Sequence, residues 1–474
     1  MQDTRYRTDL PSRLDRLAWS PFHTMLIFAL GIGWIIDGLE VTLIGALSGV
    51  LTLPEALGLS AFQVSLAGSA YVAGAVLGAI YFGSLADRMG RKKLFFLTLG
   101  VYAGATILSG LVSHYWLFLI ARFLTGAGIG GEYAAINSAI QEFMPARLRG
   151  RIDLGVNGSY WIGAAIGALG ASAILDSGLV PVEVGWRLAF VVGGALGFAI
   201  MALRRFVPES PRWLMVNGRM DEAEAVVRRI EAQAQVRPGA PPVRELLLAR
   251  RPQPGFFALF EVFTRRYPRR TVLGLVLMVA QAFLYNAIFF TYGLILARYY
   301  AVEEARIGLF LLPFAAGNVA GPLLLGPLFD TWGRRRMITL TYAVSGLLII
   351  LTGWLFLRGA FTATTQTLAW SVVFFFASAA ASSAYLTVSE SFPLEIRARA
   401  IAWFYAVGTA LGGITGPLVF GLLIGTGGRV EMFGGYVLGG ALMLIAAMVA
   451  WRLAVDAENR MLEDVAAPLA ADPE

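Results

Sequence analysis

The sequence predicts an all-α membrane protein of twelve transmembrane helices in two pseudo-symmetric six-helix bundles. Three observations carry that reading. First, 57% of the 474 residues are hydrophobic and only 15% are charged, with a mean hydropathy of +0.67, an apolar excess too large for an ordinary soluble chain. Second, apolar runs long enough to cross a bilayer recur along the chain, separated by polar turns. Third, one such turn is present twice. Gly83-Ser84-Leu85-Ala86-Asp87-Arg88-Met89-Gly90-Arg91 returns half a chain later as Gly326-Pro327-Leu328-Phe329-Asp330-Thr331-Trp332-Gly333-Arg334. A second pair, Glu142-Phe143-Met144-Pro145 with Arg149 and Glu390-Ser391-Phe392-Pro393 with Arg397, repeats the pattern. Corresponding turns after corresponding runs mean two halves of like design.

Residues 1–21 mix Arg5, Arg7, Arg13 and Arg16 with acids and contain no short apolar stretch ending in a cleavage site. The first run is therefore expected to stay as a membrane helix. Runs at 24–50, 62–83, 94–113, 116–140, 153–175 and 187–206 make the first bundle, residues 1–206. Residues 207–270 form an arginine-rich linker with short helices. Within it Asp221, Glu222 and Glu224 open a segment whose Ala223, Val226, Val227 and Ile230 recur at helical spacing, the acids lying where the helix dipole favours them. Pro238 to Pro254 is proline-rich and reads as a spacer. Runs at 271–299, 306–327, 337–357, 367–389, 400–424 and 433–453 make the second bundle, residues 271–455, and the acidic stretch 456–474 reads as a partly mobile tail. The loops after spans two, four, eight and ten carry the arginines while the alternate loops at 51–61 and 114–116 carry none. By the positive-inside rule both termini are cytoplasmic.

Composition also excludes. Cys is absent and only His23 and His114 are present, so no disulfide framework, thiolate or histidine metal site is available, and neither a metal nor a cofactor is expected. The net charge of +7 is spread over residues flanking apolar runs rather than gathered in one patch, which argues against a nucleic-acid partner. Gly126-Ala127-Gly128-Ile129-Gly130-Gly131 formally satisfies a dinucleotide fingerprint, but it lies inside a membrane span with no preceding strand, so close helix packing explains it. No nucleophile or metal motif supports an enzyme.

The residues that carry chemistry are those costly to place in lipid. Asp37 and Glu40 lie three apart on one face of span one, and span four supplies Arg122 and Glu132. Glu40 and Arg122 fall in the same half of the membrane and are expected to pair; a carboxylate alternating between Arg and a proton would couple proton flow to a conformational cycle, whereas a permanent pair would be structural glue. Asp153 is expected to pair with the loop arginines before it. Gln281, Tyr285, Asn286 and Tyr292 interrupt span seven and are expected to face a central cavity, with Asn318, Asn137, Gln141, Asn157, Tyr160, Trp161 and Tyr385 adding to its lining.

Together these motifs resemble the major facilitator superfamily, and within it the sugar porters and the metabolite:proton symporters, including the synaptic-vesicle-protein-like branch. Pro208-Glu209-Ser210-Pro211-Arg212 and Gly38-Leu39-Glu40-Val41-Thr42-Leu43-Ile44-Gly45 carry the likeness further. The resemblance implies alternating access. It places Glu40 on the proton-coupling acid with Arg122 as partner, and Asp37 and Glu132 as secondary candidates. Gln281 and Asn286 match substrate contacts. It makes Gly83, Asp87, Arg88, Gly90, Arg91, Asp330, Gly333 and Arg334 parts of cytoplasmic latches within each half, with Glu142, Arg149, Glu390 and Arg397 in a charge network that breaks on opening. Ala164, Ala381-Ser382 and Tyr385 depart from the sugar-porter pattern. The reading is a monomeric proton-coupled symporter of the bacterial inner membrane, taking up a small polar organic metabolite such as a sugar, polyol or organic acid. The alternatives are proton-driven efflux of drugs or metabolites, and a non-transporting sensor of the same fold.

Overall fold

The computed structural model describes residues 5–176, 180–249, 256–302 and 304–469. Twelve rods run back and forth through it: Pro21–Leu51, Ala61–Met89, Arg91–Leu111, Tyr115–Phe143, a broken fifth (Arg149–Gly158 and Tyr160–Asp176), Val182–Arg204, Pro268–Tyr300, Glu304–Thr331, Arg334–Leu357, Ala363–Ser391, an irregular eleventh (Arg397–Gly408, Thr409–Gly413, Ile414–Thr426) and Arg429–Leu453. They are called spans one to twelve. Ten stretches meet the length and apolarity of a membrane crossing on their own among the described residues. The fourth span does not, because Arg122, Glu132 and Glu142 interrupt it, and the fifth does not, because its two pieces have only 10 and 17 residues.

Local chemistry sets the ends. Ser60 and Gln63 cap span two reciprocally, as Thr362 and Thr365 cap span ten, each pair satisfying amides that the first helical turn leaves free. The duplicated turn has one backbone solution used twice: Gly90 and Gly333 adopt φ of 93° and 102°, a region closed to most side chains, so one helix stops and the next starts within one residue.

Packing repeats with the sequence. Span two lies against four, three against four and six, and one against five and six; in the second half eight lies against ten, nine against ten and twelve, and seven against eleven and twelve. The halves meet through spans two and eleven and through spans five and eight, again a symmetric pair. Approach within a half is close because glycine permits it. A Cβ on Gly38 would run into the Tyr160 carbonyl, and one on Gly163 into that of Ile35, so spans one and five touch backbone to backbone.

The arginine-rich end is more ordered than composition suggests. The linker forms helices at Pro211–Val216 and Met220–Glu231, the latter burying Ala223, Val227 and Ile230. Its proline-rich part holds a strand, Leu246–Ala249, paired antiparallel with Arg5–Thr8; residues 250–254 of the expected spacer lie outside the described residues. The expectation of a mobile tail is corrected over 456–469. Leu462 is fully buried, Glu463 accepts from Arg212 at 3.0 Å, and Glu458 accepts from the Arg334 amide at 3.1 Å. Acids that look solvating in sequence are held by a buried basic cluster; residues 470–474 lie outside the described residues.

Candidate functional site

A cavity of about 210 Å³ lies between the halves, walled by spans one, two, four and five on one side and seven, ten and eleven on the other. The two irregular spans meet it at equivalent places. Span five breaks at Ser159, between Asn157 and Tyr160, and span eleven winds as a π turn over Thr409–Gly413, whose two end residues line the cavity. Such interruptions re-aim side chains where regular helix would hide them.

Aromatic rings dominate the wall. Trp34 and Tyr133 stack at 4.5 Å with 4° between their planes. Tyr160 and Tyr385 stand edge-on to Trp34, at 75° and 80°, and Tyr405 stands at 87° to Tyr133. Trp161, Tyr285 and Phe289 continue the surface. Polar groups are few. Gln281 makes only a 3.9 Å contact with Met278 Sδ, and Asn286 donates to the Ala282 carbonyl at 2.7 Å. Asn157 donates to Asn137 and Asp153 while its own Oδ1 has no hydrogen-bond partner among the described residues.

Of the predicted lining, Gln281, Tyr285, Asn286, Asn157, Tyr160, Trp161 and Tyr385 face the cavity. Tyr292, Asn318, Asn137 and Gln141 do not. Tyr292 is buried against Phe314 and Trp370, and Asn318 is fully buried, accepting from the Tyr285 hydroxyl and donating to the Phe314 carbonyl. Both are polar interruptions of an apolar helix, which is all that sequence registers; here the interruption serves interhelical packing. Trp34, Tyr71, Tyr133, Tyr405 and Ser378 line the cavity without having been singled out, because an aromatic or a serine in a membrane helix resembles packing until a partner helix faces it.

Behind the first-half wall lie the buried charges. Arg122 Nη1 sits 3.8 Å from Glu40 Oε2, with neither side chain exposed. The contact is loose, since both Glu40 oxygens and all three Arg122 nitrogens lack hydrogen-bond partners among the described residues. The Arg122 guanidinium lies over Tyr71 and Phe190 at 5.5 and 5.2 Å. Glu132 is bound by Arg204, from the end of span six, at 2.5 Å. No motif marked Arg204. Asp37 is 1% exposed and its Oδ2 has no hydrogen-bond partner among the described residues. Asp153, expected on the loop arginines, instead accepts from Gln141 at 3.1 Å and from Asn157 at 3.2 Å; its position one helical turn before Asn157 places it in that amide network.

At the arginine-rich end the repeated motifs close each half on itself, Asp87 facing Arg91 at 3.4 Å and Asp330 facing Arg334 at 2.9 Å, and they also join the halves, which the expected pairing did not include. Asp87 accepts from Arg399 Nε at 3.0 Å, and Asp330 accepts from the amides of Gly150 and Arg151 at 3.1 and 2.9 Å. Glu142 and Glu390 bind within their own halves, to Arg91 at 2.7 Å and Arg334 at 2.9 Å. Among the described residues Arg397 reaches only the Phe392 carbonyl, at 3.5 Å, and Arg88 is exposed while Gly83 is buried. Arg149 turns outward to Asp15 at 3.2 Å and to the Arg460 carbonyl at 3.3 Å. Asp15 also holds Arg212 at 3.1 Å, so both terminal segments are tied into one buried cluster. Burial raises the Glu209 carboxyl above its ordinary range, against the pull of the Ser210, Arg91 and Lys92 amides it accepts from. Glu224 is held below its range by its hydrogen bond from Arg13.

The model of the family described as "Sugar (and other) transporter" matches residues 38–467. The niacin transporter NiaP of Acinetobacter baylyi (strain ATCC 33305 / BD413 / ADP1) is 27% identical over 460 residues, covering 96% of this chain and 99% of that protein. The 4-hydroxybenzoate transporter PcaK of the same organism is 26% identical, covering 82% of each. In fold, the structure of the proton:xylose symporter XylE bound to 6-bromo-6-deoxy-D-glucose superposes with a TM-score of 0.77 at 18% identity, over 94% of this chain and 98% of that one. A cavity between two like bundles agrees with these likenesses, and the chain belongs to the sugar (and other) transporter family of the major facilitator superfamily, an integral membrane transporter of small metabolites and not an enzyme.

Proposed function

We propose that this transporter is a proton-coupled symporter that takes up a small planar aromatic metabolite by alternating access. The observation that carries the substrate class is the cavity wall, in which ten of the lining residues are aromatic. Cavities of about 150 Å³ hold a benzene, so about 210 Å³ has room for one substituted ring. Stacked and edge-on rings suit a flat solute, and Gln281, Asn286 and Tyr385 supply the few polar contacts that orient one. Relatives named for niacin and 4-hydroxybenzoate, both single-ring aromatic acids, support the same class.

Glu40 is the proton carrier in this reading and Arg122 its partner. A buried pair 3.8 Å apart without hydrogen bonds is poorly compensated, so protonating Glu40 and releasing Arg122 costs less than breaking a tight pair. Asp37 and Glu132 are secondary. The arginine-rich end faces the cytoplasm of a bacterial inner membrane, the protein works as a monomer, and residues 1–206 and 271–455 rock about the cavity, joined by 207–270. The Asp87–Arg399 and Asp330–Gly150 contacts hold the inner gate shut.

Proton flux in proteoliposomes, challenged with single-ring aromatic acids, their amides, sugars and polyols, tests this. Aromatic solutes are expected to alkalinise the exterior, and Glu40→Gln to abolish that signal while solute exchange survives. A response to sugars alone sinks the aromatic assignment. Uptake without proton movement in the unaltered protein sinks the coupling.

A further inference from the structure

Resting on the aromatic reading of the cavity, we infer that the solute is bound without negative charge: the site takes the uncharged form of an aromatic acid, or its amide, and rejects the carboxylate anion. Every lining residue is itself uncharged. The two arginines buried behind the first-half wall face carboxylates of their own, Arg122 loosely toward Glu40 and Arg204 tightly toward Glu132, and neither lines the cavity. On span one, the charge that shares the cavity-lining face is an acid. Trp34 and Val41 both line the cavity and lie three residues before and four after Asp37, so helical spacing puts Asp37 on the same face of span one. Its carboxyl is 1% exposed, with Oδ2 unpaired among the described residues.

Along this wall Asp37, Glu40 and Glu132 face only Arg122 and Arg204, three carboxylates to two guanidiniums. The groups that bear on Asp37 are Glu132 from span four, Arg204 from span six and Glu40 on its own span. Tyr102 and the lining residues Tyr71, Tyr133, Tyr160 and Tyr405 complete the set. None of them adds a cation beyond Arg204. An anion entering would leave water for a low-dielectric wall with no positive partner and a carboxyl close by, which costs far more than placing a neutral ring there. The amides of Gln281, Asn286 and Asn157 can instead donate to and accept from a neutral carboxyl or carboxamide. An acid carried this way arrives with its proton, as symport requires.

The test is calorimetric binding of benzamide and of benzoate to the purified full chain between pH 5.5 and 7.5. The benzamide affinity is expected to stay flat. Benzoate is expected to weaken about tenfold per pH unit, because its uncharged fraction falls tenfold per unit above an ordinary carboxyl pKa of about 4. Benzoate that binds as tightly as benzamide at pH 7.5, or with no slope, overturns the inference alone; an equal slope for both ligands places the proton on the protein and also overturns it. Binding of neither overturns the aromatic reading and the inference with it. In Asp37→Asn the benzoate-to-benzamide affinity ratio at pH 7.5 is expected to rise several-fold, and an unchanged ratio removes Asp37 from the explanation.

Discussion

Arg204 shows how one residue decides the state of another. It is fully buried and holds Glu132, with its guanidinium 4.3 Å from the Phe95 ring centre. Arg204→Ala leaves Glu132 charged and alone in the interior, and the expected loss is about 3–5 kcal/mol of stability, read as a fall in Tm of the detergent-solubilised protein. Adding Glu132→Gln should recover part of it; a double variant no better than the single one would show that the pair is not the cause. In the cavity, Gln281 has no strong partner among the described residues. Gln281→Ala is expected to weaken solute binding about tenfold, the worth of roughly one hydrogen bond of 1–1.5 kcal/mol, with Tm unchanged. Asn318→Ala should do the reverse, lowering Tm through the lost Tyr285 and Phe314 contacts. The two polar interruptions look alike in sequence and differ only in what faces them.

At the scale of elements, contact between spans one and five depends on glycine. Gly163→Val places a branched side chain against the Ile35 carbonyl, and loss of the monodisperse peak in size-exclusion chromatography is the expected outcome; a normal elution profile would show that the spans can part without unfolding. The amino-terminal segment is an element that composition did not announce. It pairs as a strand with Leu246–Ala249, and Arg13 clasps Glu224 and Glu231 at 2.8 and 2.6 Å. Because Arg13 depresses the Glu224 carboxyl, that contact is fully present above the unfolded value of about 4.3 and is lost as pH falls through the lower folded value. Fluorescence anisotropy of a probe on Arg7→Cys, an exposed site, should accordingly drop below about pH 4, and a flat profile would mean the clasp does not anchor the segment.

For the whole molecule the decisive contacts are those that cross between the halves. Asp87 to Arg399 and Asp330 to the Gly150 and Arg151 amides are related by the internal repeat, so weakening either should favour opening of the same end. The chain has no cysteine, which makes Ser382→Cys in the cavity wall a clean reporter. Its labelling by a membrane-impermeant thiol reagent applied from the arginine-rich side should rise several-fold when Asp330→Asn is added. Unchanged labelling would separate this contact from gating.

Span number, the internal repeat, the amphipathic helix at Met220–Glu231 and seven of the eleven expected cavity residues were legible in the sequence. Each is a local or periodic property: apolar length, turn chemistry, helical spacing, or a polar group that lipid would not tolerate. The tertiary structure decided which polar groups meet a cavity and which meet another helix, so Tyr292 and Asn318 moved out and Trp34, Tyr133 and Tyr405 moved in. It also decided the partners of the charges. Arg204 with Glu132, Arg399 with Asp87, and Asp15 with Arg149 and Arg212 join residues 72 to 312 positions apart. No spacing rule connects such residues, because what pairs them is the cost of leaving a buried charge alone once the helices have packed.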